Sequence, residues 1–373
     1  MEKFYPERLL ELKNNFSVKI IVGVRGVGKT TLLEDFTERL RSDDVATEEI
    51  IFVNCAADNR LRNFQTLYDF VAAKTSELEK FFLLLDDADC VTECEKAINA
   101  LFVGTPAEIY MTCSSKRLAK KISTLLPDNC DVLKMYPPSF TEYAKYSSSE
   151  DALQNYLHFG GLHRVFEIDK RIFPTLLRGV AYEMMFDIVE KNSLQKAELL
   201  RLLITTLARN VGTSANLSKI LESLNCSGKA FRNYLGCAKE LFKKIPRFDL
   251  KTGNFLSGGE KFYCIDNGIL SAFAEVDETI LMENAVCMEL LRRGYNVSCG
   301  KFGTMNISFI AERDGKKTFI QVLPVNGKVS VRRSTRPLRA LNEDAEKLLI
   351  TLKPEKIFGE VKNVTLRDFL LSI

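Results

Sequence analysis

The amino-acid sequence predicts an α/β protein of two or three domains, and three observations lead to this prediction. Short apolar runs alternate with amphipathic stretches over the first 145 residues, as expected of a parallel sheet covered by helices. From about residue 143 to 224 the apolar residues recur at helical spacing, and the tail then returns to alternation. The length of 373 residues, with 46% hydrophobic and 27% charged side chains, fits globular domains and excludes collagen-like and disulfide-scaffold proteins.

Four short apolar runs in the first part of the chain predict buried strands. They are residues 18–22, 49–54, 81–85 and 108–112. Each run is followed by a segment with helical spacing, so the strands should be parallel, in a sheet buried on both faces.

Helices dominate the next part of the sequence. Three candidates are residues 197–209, 214–224 and 227–244, and an extended, glycine-rich stretch at 246–264 follows them. Three helices followed by a β-ribbon form the layout of a winged helix, a variant of the helix-turn-helix. The tail predicts a helix at 278–293 and strands near 296–299, 307–311, 318–322 and 348–351.

Charge and cysteine content restrict the functional classes. The 52 basic and 49 acidic side chains leave a formal charge of +3, so any attraction to a polyanion must be local. The ten cysteines are never spaced Cys-x-x-Cys and only two histidines are present, so we expect reduced thiols and no zinc site. No apolar run approaches the ~20 residues of a membrane span, and no secretion signal is evident. We therefore expect a cytoplasmic protein.

A glycine-rich loop follows the first predicted strand. Its sequence, Gly23-Val24-Arg25-Gly26-Val27-Gly28-Lys29-Thr30-Thr31, matches Gly-x4-Gly-Lys-Ser/Thr and leads into a segment with helical spacing. Glycines let backbone N–H groups and a helix N-terminus surround phosphates; Lys29 would contact the β- and γ-phosphates, and the Thr30 hydroxyl would bind Mg²⁺. The sequence thus predicts a P-loop that binds ATP and Mg²⁺. A dinucleotide-binding loop is excluded because Gly28 runs directly into Lys29 without a third glycine.

Two carboxylates end the third predicted strand, as in the second nucleotide-binding motif of ATPases. Asp86 would hold Mg²⁺ through water, and Asp87 stands where many ATPases carry a glutamate that orients the attacking water. Because the Asp87 side chain is one methylene shorter, we expect at most slow hydrolysis with Asp87 and Lys29 as catalytic residues. After the fourth strand, Ser114 could sense the γ-phosphate or belong to a turn and helix cap.

In order and spacing, these motifs resemble the prokaryotic AAA-type ATPases of the STAND-like branch, which fuse a P-loop domain to a winged helix and a nuclease-like domain of unknown function. The resemblance covers nearly the whole chain. Besides the two nucleotide motifs, it rests on residues 112–115, 137–143, 160–162, 187–191, 261–270 and 283–284. With it we expect a P-loop domain at residues 1–145, a helical lid at 146–195, a winged helix at 196–275 and a nuclease-like α/β domain, expected to be inactive, at 276–373.

The chain departs from this family at positions that would respond to nucleotide. The family carries Gly-Arg before its Pro-Leu-Ser-Phe segment, where this chain has Asp128-Asn129, and Pro and Glu after Gly-Gly, where this chain has His163 and Arg164. Together with Asp87, these departures predict nucleotide binding more firmly than turnover. Three arginines are candidates to replace the missing one: Arg25, Arg117 and Arg164.

The tail is similar in layout to restriction-endonuclease-like domains. In those domains a helix glutamate, a strand aspartate and a following Glu/Gln-x-Lys hold the metal ion and activate water. Glu283 matches the helix glutamate, but Ser308 stands at the aspartate position and Leu323, after Gln321, at the lysine position. We therefore expect no nuclease activity.

Two groups of basic residues could bind nucleic acid. Between residues 315 and 342 seven basic residues occur without an acidic one: Lys316, Lys317, Lys328, Arg332, Arg333, Arg336 and Arg339. They could neutralise phosphates, or form a solvated strand edge that deters pairing with another chain. The third helix of the predicted winged helix offers Lys229, Arg232, Asn233 and Lys239 to a DNA major groove; winged helices also dock proteins.

These inferences combine into a prediction of function. We expect a cytoplasmic, Mg²⁺-dependent ATP-binding switch with at most slow hydrolysis, in which the nucleotide controls a C-terminal surface for nucleic acid or a protein partner. The alternative is a nucleic-acid-binding protein, for DNA or RNA, whose ATP domain is structural. An active nuclease is not expected. The sequence contains no feature that predicts whether the protein is a monomer or an oligomer.

Overall fold

The computed structural model describes residues 4–147, 151–162, 172–257, 259–325, 327, 329–357 and 359–372. The chain divides into two compact units, Met1–Pro137 and Pro138–Ile373. None of the helices in the described part of the chain combines the length and apolar character needed to cross a bilayer.

The first unit is built on a five-stranded parallel sheet with strand order β2-β3-β4-β1-β5. Its strands are β1 (Val18–Val22), β2 (Ile50–Asn54), β3 (Phe81–Asp86), β4 (Ala107–Cys113) and β5 (Cys130–Lys134). Its helices are α1 (Phe4–Glu11), α2 (Lys29–Ser42), α3 (Phe64–Thr75), α4 (Cys94–Gly104) and α5 (Lys116–Leu125). This mixed α/β architecture is the predicted one.

The four strands predicted from apolar runs are present, because their side chains form the core of the first unit. Ile20, Leu83 and Met111 of three strands pack in one cluster with Ile98 of α4 and Ile122 of α5, and all five side chains are fully buried. Strand β5 was missed since its residues are only half-buried or exposed and give no apolar run. The order of the strands places β1, and with it the loop that follows, between β4 and β5.

The second unit contains ten helices and nine strands among the described residues. The helices are α6 (Phe140–Tyr146), α7 (Ala152–Phe159), α8 (Phe173–Lys191), α9 (Ala197–Arg209), α10 (Leu217–Ser223), α11 (Gly228–Ala238), α12 (Asn267–Phe273), α13 (Glu278–Arg292), α14 (Val331–Arg339) and α15 (Leu366–Leu371). The strands are β6 (Phe242–Ile245), β7 (Arg247–Asp249), β8 (Asn254–Phe255), β9 (Lys261–Cys264), β10 (Asn296–Phe302), β11 (Met305–Arg313), β12 (Lys316–Val322), β13 (Glu346–Thr351) and β14 (Lys362–Thr365).

The prediction of one helix over residues 227–244 is wrong at its C-terminal end. Helix α11 ends at Ala238, and residues 242–245 form β6, which pairs antiparallel with β9. Phe242 and Ile245 are buried in this pairing. Pairing with a distant strand thus overrides the local helical pattern.

Helix α10 is also shorter than predicted. It begins after Asn216, whose side chain accepts a hydrogen bond from the Lys219 N–H, as an N-cap residue does. Two residues earlier, Ser214 forms an isolated antiparallel bridge with Lys261 of β9. Helices α9, α10 and α11, the bridge at Ser214 and the paired strands β6 and β9 therefore all belong to one continuous segment of the chain.

The stretch at 246–264 is not a simple ribbon, because its middle joins a larger sheet. Strands β7 and β8 extend a seven-stranded sheet with order β14-β13-β12-β11-β10-β7-β8, in which β7 is parallel to β10. This sheet therefore combines strands from both sides of residue 275, the predicted boundary between the winged helix and the nuclease-like domain. Ile310, Phe319 and Leu349 of its strands pack against Leu338 of α14.

The basic run near the C-terminus is not a strand edge. Residues 331–339 form α14, whose N-cap Ser330 accepts a hydrogen bond from the Arg333 N–H. Ser334, Thr335, Pro337 and Leu338 are its buried residues. The helical period therefore leaves the arginines of this segment on the opposite, exposed face.

The ten cysteines all lie in the described part of the chain and none of them forms a disulfide; seven of them are buried. Burial raises the pKa of the Cys55 thiol to about 12 and that of the Cys299 thiol to about 11. These two thiols are therefore protonated at neutral pH, which makes them poor nucleophiles and poor metal ligands.

Candidate nucleotide-binding site

The glycine-rich loop connects β1 to α2 at the carboxyl end of the parallel sheet. Gly26 and Gly28 have φ values of 81° and 96°, in the left-handed region that favours glycine. A Cβ atom at Gly23 would lie 2.7 Å from the Met135 carbonyl oxygen, so a larger residue would force the two segments apart. The loop conformation therefore depends on glycine at these positions.

Lys29 begins α2, and its side chain folds back over the loop. Its Nζ donates to the Val24 carbonyl oxygen at 3.1 Å and to Ser114 Oγ at 3.4 Å. The residue is 5% exposed. Because Ser114 directly follows β4, Lys29 links the glycine-rich loop to the end of the neighbouring strand.

Thr30 and Asp86, the residues predicted to bind Mg²⁺, lie side by side. Thr30 Oγ1 donates to Asp86 Oδ2 at 2.8 Å, and Thr112 Oγ1 donates to Asp86 Oδ1 at 2.6 Å. Sites for Mg²⁺ beside phosphates commonly use one or two protein oxygens of this kind and complete the shell with phosphate and water. The hydroxyl and carboxylate present here fit that ion.

Asp87 lies just past β3 in a tight turn. Its φ of 51° is in the left-handed region, and its backbone N–H donates to Thr112 Oγ1 at 2.8 Å. The side chain is half-buried. Thr112 therefore contacts both residues of the acidic motif, Asp86 through its carboxylate and Asp87 through its backbone.

A third carboxylate at this edge of the sheet, that of Asp89, was not predicted from the sequence. It lies in a short 3₁₀ turn, Ala88–Cys90, and accepts hydrogen bonds from the backbone N–H groups of Ser114 and Ser115. Ser115 Oγ accepts from the Leu118 N–H at 3.2 Å and so caps α5. Asp89 thus holds the segment that presents Ser114 to Lys29.

The remaining predicted loop residues differ in their environments. Val27 is 1% exposed and belongs to the core, whereas Arg25 and Thr31 are exposed. Arg117, a candidate to replace the missing arginine, is exposed in the first turn of α5. Three predicted residues lie outside the described part of the chain: His163, Arg164 and Lys328.

Family models match two segments of the chain. Residues 15–144 match the AAA domain family, and residues 136–279 match a domain of unknown function, DUF8612. The first match contains the glycine-rich loop, the acidic motif and Ser114. The first unit is an AAA-type, P-loop ATPase-like nucleotide-binding domain.

Other similarities extend beyond the AAA domain. An uncharacterized protein of Haemophilus influenzae is 29% identical over 374 residues, covering 94% of this chain and 92% of that protein. The Walker-type ATPase of Pyrococcus abyssi has a solved structure that matches with a TM-score of 0.51 at 11% identity, covering 73% of this chain and 95% of that one. This second similarity supports the fold. The Orc1 protein of Aeropyrum pernix, solved in complex with DNA, matches with a TM-score of only 0.36 at 13% identity, covering 73% and 91%.

In the second unit, the residues of the nuclease-like motif are engaged in hydrogen bonds within the protein. Glu283 Oε1 accepts from Tyr263 Oη at 2.5 Å and from Lys261 Nζ at 3.4 Å. Gln321 Oε1 accepts from the Ser308 N–H at 3.2 Å. Burial, and then the nearby Glu283 carboxylate, raise the pKa of Tyr263 well above its ordinary value, so its hydroxyl remains a donor.

The predicted nucleic-acid contacts lie on two helices of the second unit. On α11, Lys229, Arg232 and Asn233 are exposed, while Lys239 just beyond its end is half-buried. On α14, four arginines are exposed: Arg332, Arg333, Arg336 and Arg339. On β12, Lys316 is exposed, and Lys317 forms ion pairs with Glu312 at 3.6 Å and Glu343 at 3.3 Å.

Several motifs on which the family resemblance rests meet in a buried hydrogen-bond network. The Asp266 carboxylate accepts from the backbone N–H groups of Gly161 and Gly268 at 2.8 Å and 2.7 Å. Gly160 has a φ of 74°, and a Cβ atom there would lie 2.1 Å from Asp266 Oδ1. The Gly160–Gly161 pair and Asp266, 105 residues apart in sequence at the Gly161 contact, therefore require one another.

Asn284 extends this network. It exchanges hydrogen bonds with the backbone of Cys264 at 2.7 Å and 2.9 Å, and donates to Asn267 Oδ1 at 2.8 Å. Asn267 Nδ2 donates in turn to the carbonyl oxygens of Leu157 and Leu281. These asparagines thus satisfy buried backbone groups of several elements, which gives the motifs a structural role in the second unit.

Proposed function

We propose that this chain binds ATP with Mg²⁺ and hydrolyses it slowly, as a nucleotide-dependent switch. The observation that carries the proposal is the convergence of Lys29, Thr30, Asp86 and Ser114 around a glycine-dependent loop. Each of these side chains comes from the end of a strand or the start of a helix at one edge of the parallel sheet. That edge is where open α/β sheets bind their ligands.

Different groups of the site would contact the phosphates and the metal ion. Backbone N–H groups from Gly26 to Thr30 and the N-terminus of α2 would surround the phosphates. Lys29 would exchange its contacts with Val24 and Ser114 for phosphate oxygens, and Thr30 with Asp86 would hold the metal ion. Bound Mg²⁺ neutralises negative charge on the β- and γ-phosphates.

Slow hydrolysis follows from the geometry of Asp87. Its backbone is fixed by Thr112, so the carboxylate cannot shift forward to make up for the missing methylene. The position that carries an arginine in the resembling family is the exposed turn at Asp128 and Asn129. Both features favour a nucleotide state that persists, which suits a switch.

Nucleotide affinity tests the proposal directly. Lys29→Ala is expected to weaken binding of a fluorescent ATP analogue by tenfold or more, because a charge-assisted hydrogen bond contributes about 1.5–3 kcal/mol. Lys74→Ala, which removes an exposed lysine on α3, serves as the matched control and should retain the parent affinity. Parent-level affinity in Lys29→Ala would refute ATP binding at this loop.

Turnover tests the catalytic part of the proposal separately. Asp87→Glu is expected to raise the ATP turnover rate severalfold with little change in affinity, since it restores the carboxylate reach, whereas Asp87→Asn should lower turnover. A rate that is equal in the parent, Asp87→Glu and Asp87→Asn would remove Asp87 from the mechanism.

We further propose that the switch acts on nucleic acid through the second unit. The specific observation is that α11 and α14 each expose a face of basic residues that are not needed for the core. On α11 the exposed stripe also includes Gly236, around which a Cβ atom would meet only open space, so a bulky ligand can approach the helix closely. A winged-helix arrangement of α9 to α11 with β6 and β9 would present α11 to a major groove.

A further inference from the structure

A groove on the AAA domain carries positive charge that the nucleotide site does not use. It lies between α4 and α5, has a volume of about 450 Å³, and is lined by side chains of both helices. Four of these are cationic: Lys96, Arg117, Lys120 and Lys121. Glu95 is the one acid among the described lining residues.

The sequence of α5 places its cations at this groove. Leu118, Ala119 and Ile122 are buried against the sheet, so helical periodicity turns Arg117, Lys120 and Lys121 to the other side. Leu125 follows on the same side and remains 48% exposed. The groove thus has a cationic rim beside an apolar surface made of Leu125 and the alkyl stems of the lysines.

Two of the four cations of the groove are compensated by nearby carboxylates, and two are not. Glu95 accepts from Lys121 at 2.6 Å, and Lys96 pairs with Glu93. Within the described part of the chain, Arg117 and Lys120 form no ion pair. Since two carboxylates, Glu93 and Glu95, offset two of the four cations, an uncompensated charge of +2 remains at the groove.

We infer that this groove binds the backbone of single-stranded nucleic acid, with Arg117 and Lys120 contacting phosphates and Leu125 packing against a base. A nucleotide combines a phosphate with a flat apolar face, which matches a cationic rim beside an apolar floor. An acidic peptide fits less well, because both walls are helices whose backbone groups are already bonded and offer no strand edge for pairing. The carboxylates of an acidic peptide would also leave the Leu125 side chain exposed to solvent.

The groove is connected to the nucleotide site through the start of α5. Ser115 caps this helix, and Asp89 holds the N–H groups of both Ser115 and Ser114. Ser114 in turn accepts from Lys29. Single-stranded nucleic acid in the groove is therefore expected to change ATP turnover. This effect on turnover rests on the proposed function, whereas binding of nucleic acid to the groove is independent of it.

Fluorescence anisotropy of a labelled oligothymidylate of about 12 nucleotides, a length that spans a typical single-strand site, tests the inference on the full chain. Arg117→Gln/Lys120→Gln is expected to weaken binding about tenfold and to reduce the slope of log affinity against log salt by about 1.4, because each phosphate contact contributes about 0.7. Leu125→Ala should weaken binding without changing that slope. Lys353→Gln/Lys356→Gln removes the same charge from two exposed positions and should bind as the parent does.

Three results would overturn the inference. They are equal losses in the groove variant and its charge-matched control, parent-level affinity in the groove variant, and binding of a polyglutamate peptide without binding of the oligothymidylate. Lys29→Ala separates this inference from the proposed function, because it should lose ATP but keep the oligothymidylate affinity of the nucleotide-free parent. A parent protein that binds the oligothymidylate but not ATP would thus count against the proposed function and not against the groove.

Discussion

At the scale of single residues, the AAA domain contains a buried ion pair that no sequence motif predicts. Lys19 of β1 and Glu108 of β4 lie 2.9 Å apart in the sheet, 1% and 7% exposed. Burial raises the pKa of Glu108, but hydrogen bonds from Tyr110, Lys19 and the Asn14 N–H outweigh burial and hold the pKa below its ordinary value. The carboxylate is therefore ionised in the folded protein at neutral pH.

Glu108→Gln is predicted to destabilise the first unit by about 3–5 kcal/mol, because it leaves the Lys19 ammonium buried without a counter-charge. The stability that Glu108 contributes is present above its unfolded pKa of 4.5 and is lost as the pH falls through the lower, folded value. Urea unfolding of parent and variant across acidic pH measures both effects. Glu38→Gln, at an exposed pair with Arg41, should change stability by less than about 0.5 kcal/mol. Equal stability of Glu108→Gln and parent at pH 7 would show that the pair contributes nothing.

Which site residues could be predicted depended on how local their partners are. The glycine-rich loop, Lys29 and Thr30 are contiguous, and Asp86 ends an apolar strand, so sequence spacing identifies them as candidates. Thr112 and Asp89 act through contacts across 25 or 26 residues, which only the strand order brings together. Asp89 has no spacing signal of its own, and Thr112 stands in a segment of the family resemblance that does not predict its contacts.

At the scale of elements, apolar periodicity predicted the buried strands well and failed where long-range pairing decides. Residues 242–245 continue the helical pattern of α11 but pair with β9, and β7 joins β10 about 50 residues further on. In α14 the arginines were correctly singled out as a basic run, but their helical arrangement was missed. A segment rich in arginine and containing Pro337 gives little apolar signal for either type of element.

The exposed face of α14 leads to a prediction for duplex DNA. Arg332→Gln/Arg333→Gln/Arg336→Gln is expected to weaken duplex binding and to reduce its salt slope by about 2.7, because each duplex phosphate contact contributes about 0.9. Thermal stability should stay near that of the parent, since all three side chains are exposed. Electrophoretic or anisotropy titrations at several salt concentrations measure the slope. An unchanged slope would remove α14 from the nucleic-acid surface.

At the scale of the whole molecule, the sequence predicted the AAA domain more completely than the second unit. The AAA domain takes its strands from apolar runs that alternate with its helices, so sequence order resembles spatial organisation. The seven-stranded sheet instead draws β7 and β8 from the predicted winged helix into the predicted nuclease-like region. The predicted boundary at residue 275 rests on a change in the pattern of apolar residues along the sequence. The sheet, in contrast, is formed by pairing between strands that lie on both sides of that boundary.

A switch and a structural ATP domain make different predictions for the second unit. A ligand can shift a conformational equilibrium only through different affinities for the two states, so a switch requires that ATP change exchange behaviour beyond the AAA domain. We predict that ATP with Mg²⁺ slows backbone hydrogen exchange around residues 23–31 and 112–115, and also alters exchange in α11 or α14 by about fivefold or more, the low end of typical couplings.

Mass-spectrometric hydrogen exchange of the full chain, with ATP, with ADP and without nucleotide, measures these changes together. Lys29→Ala serves as the control in which no segment should respond to ATP, since the exchange changes must arise from nucleotide at this loop. Protection confined to the AAA domain would favour a structural role for ATP, because coupling requires the second unit to differ between nucleotide states. A response of α11 or α14 to ATP that ADP does not reproduce would identify the γ-phosphate as the signal, and would place Lys29 and Ser114 at its origin.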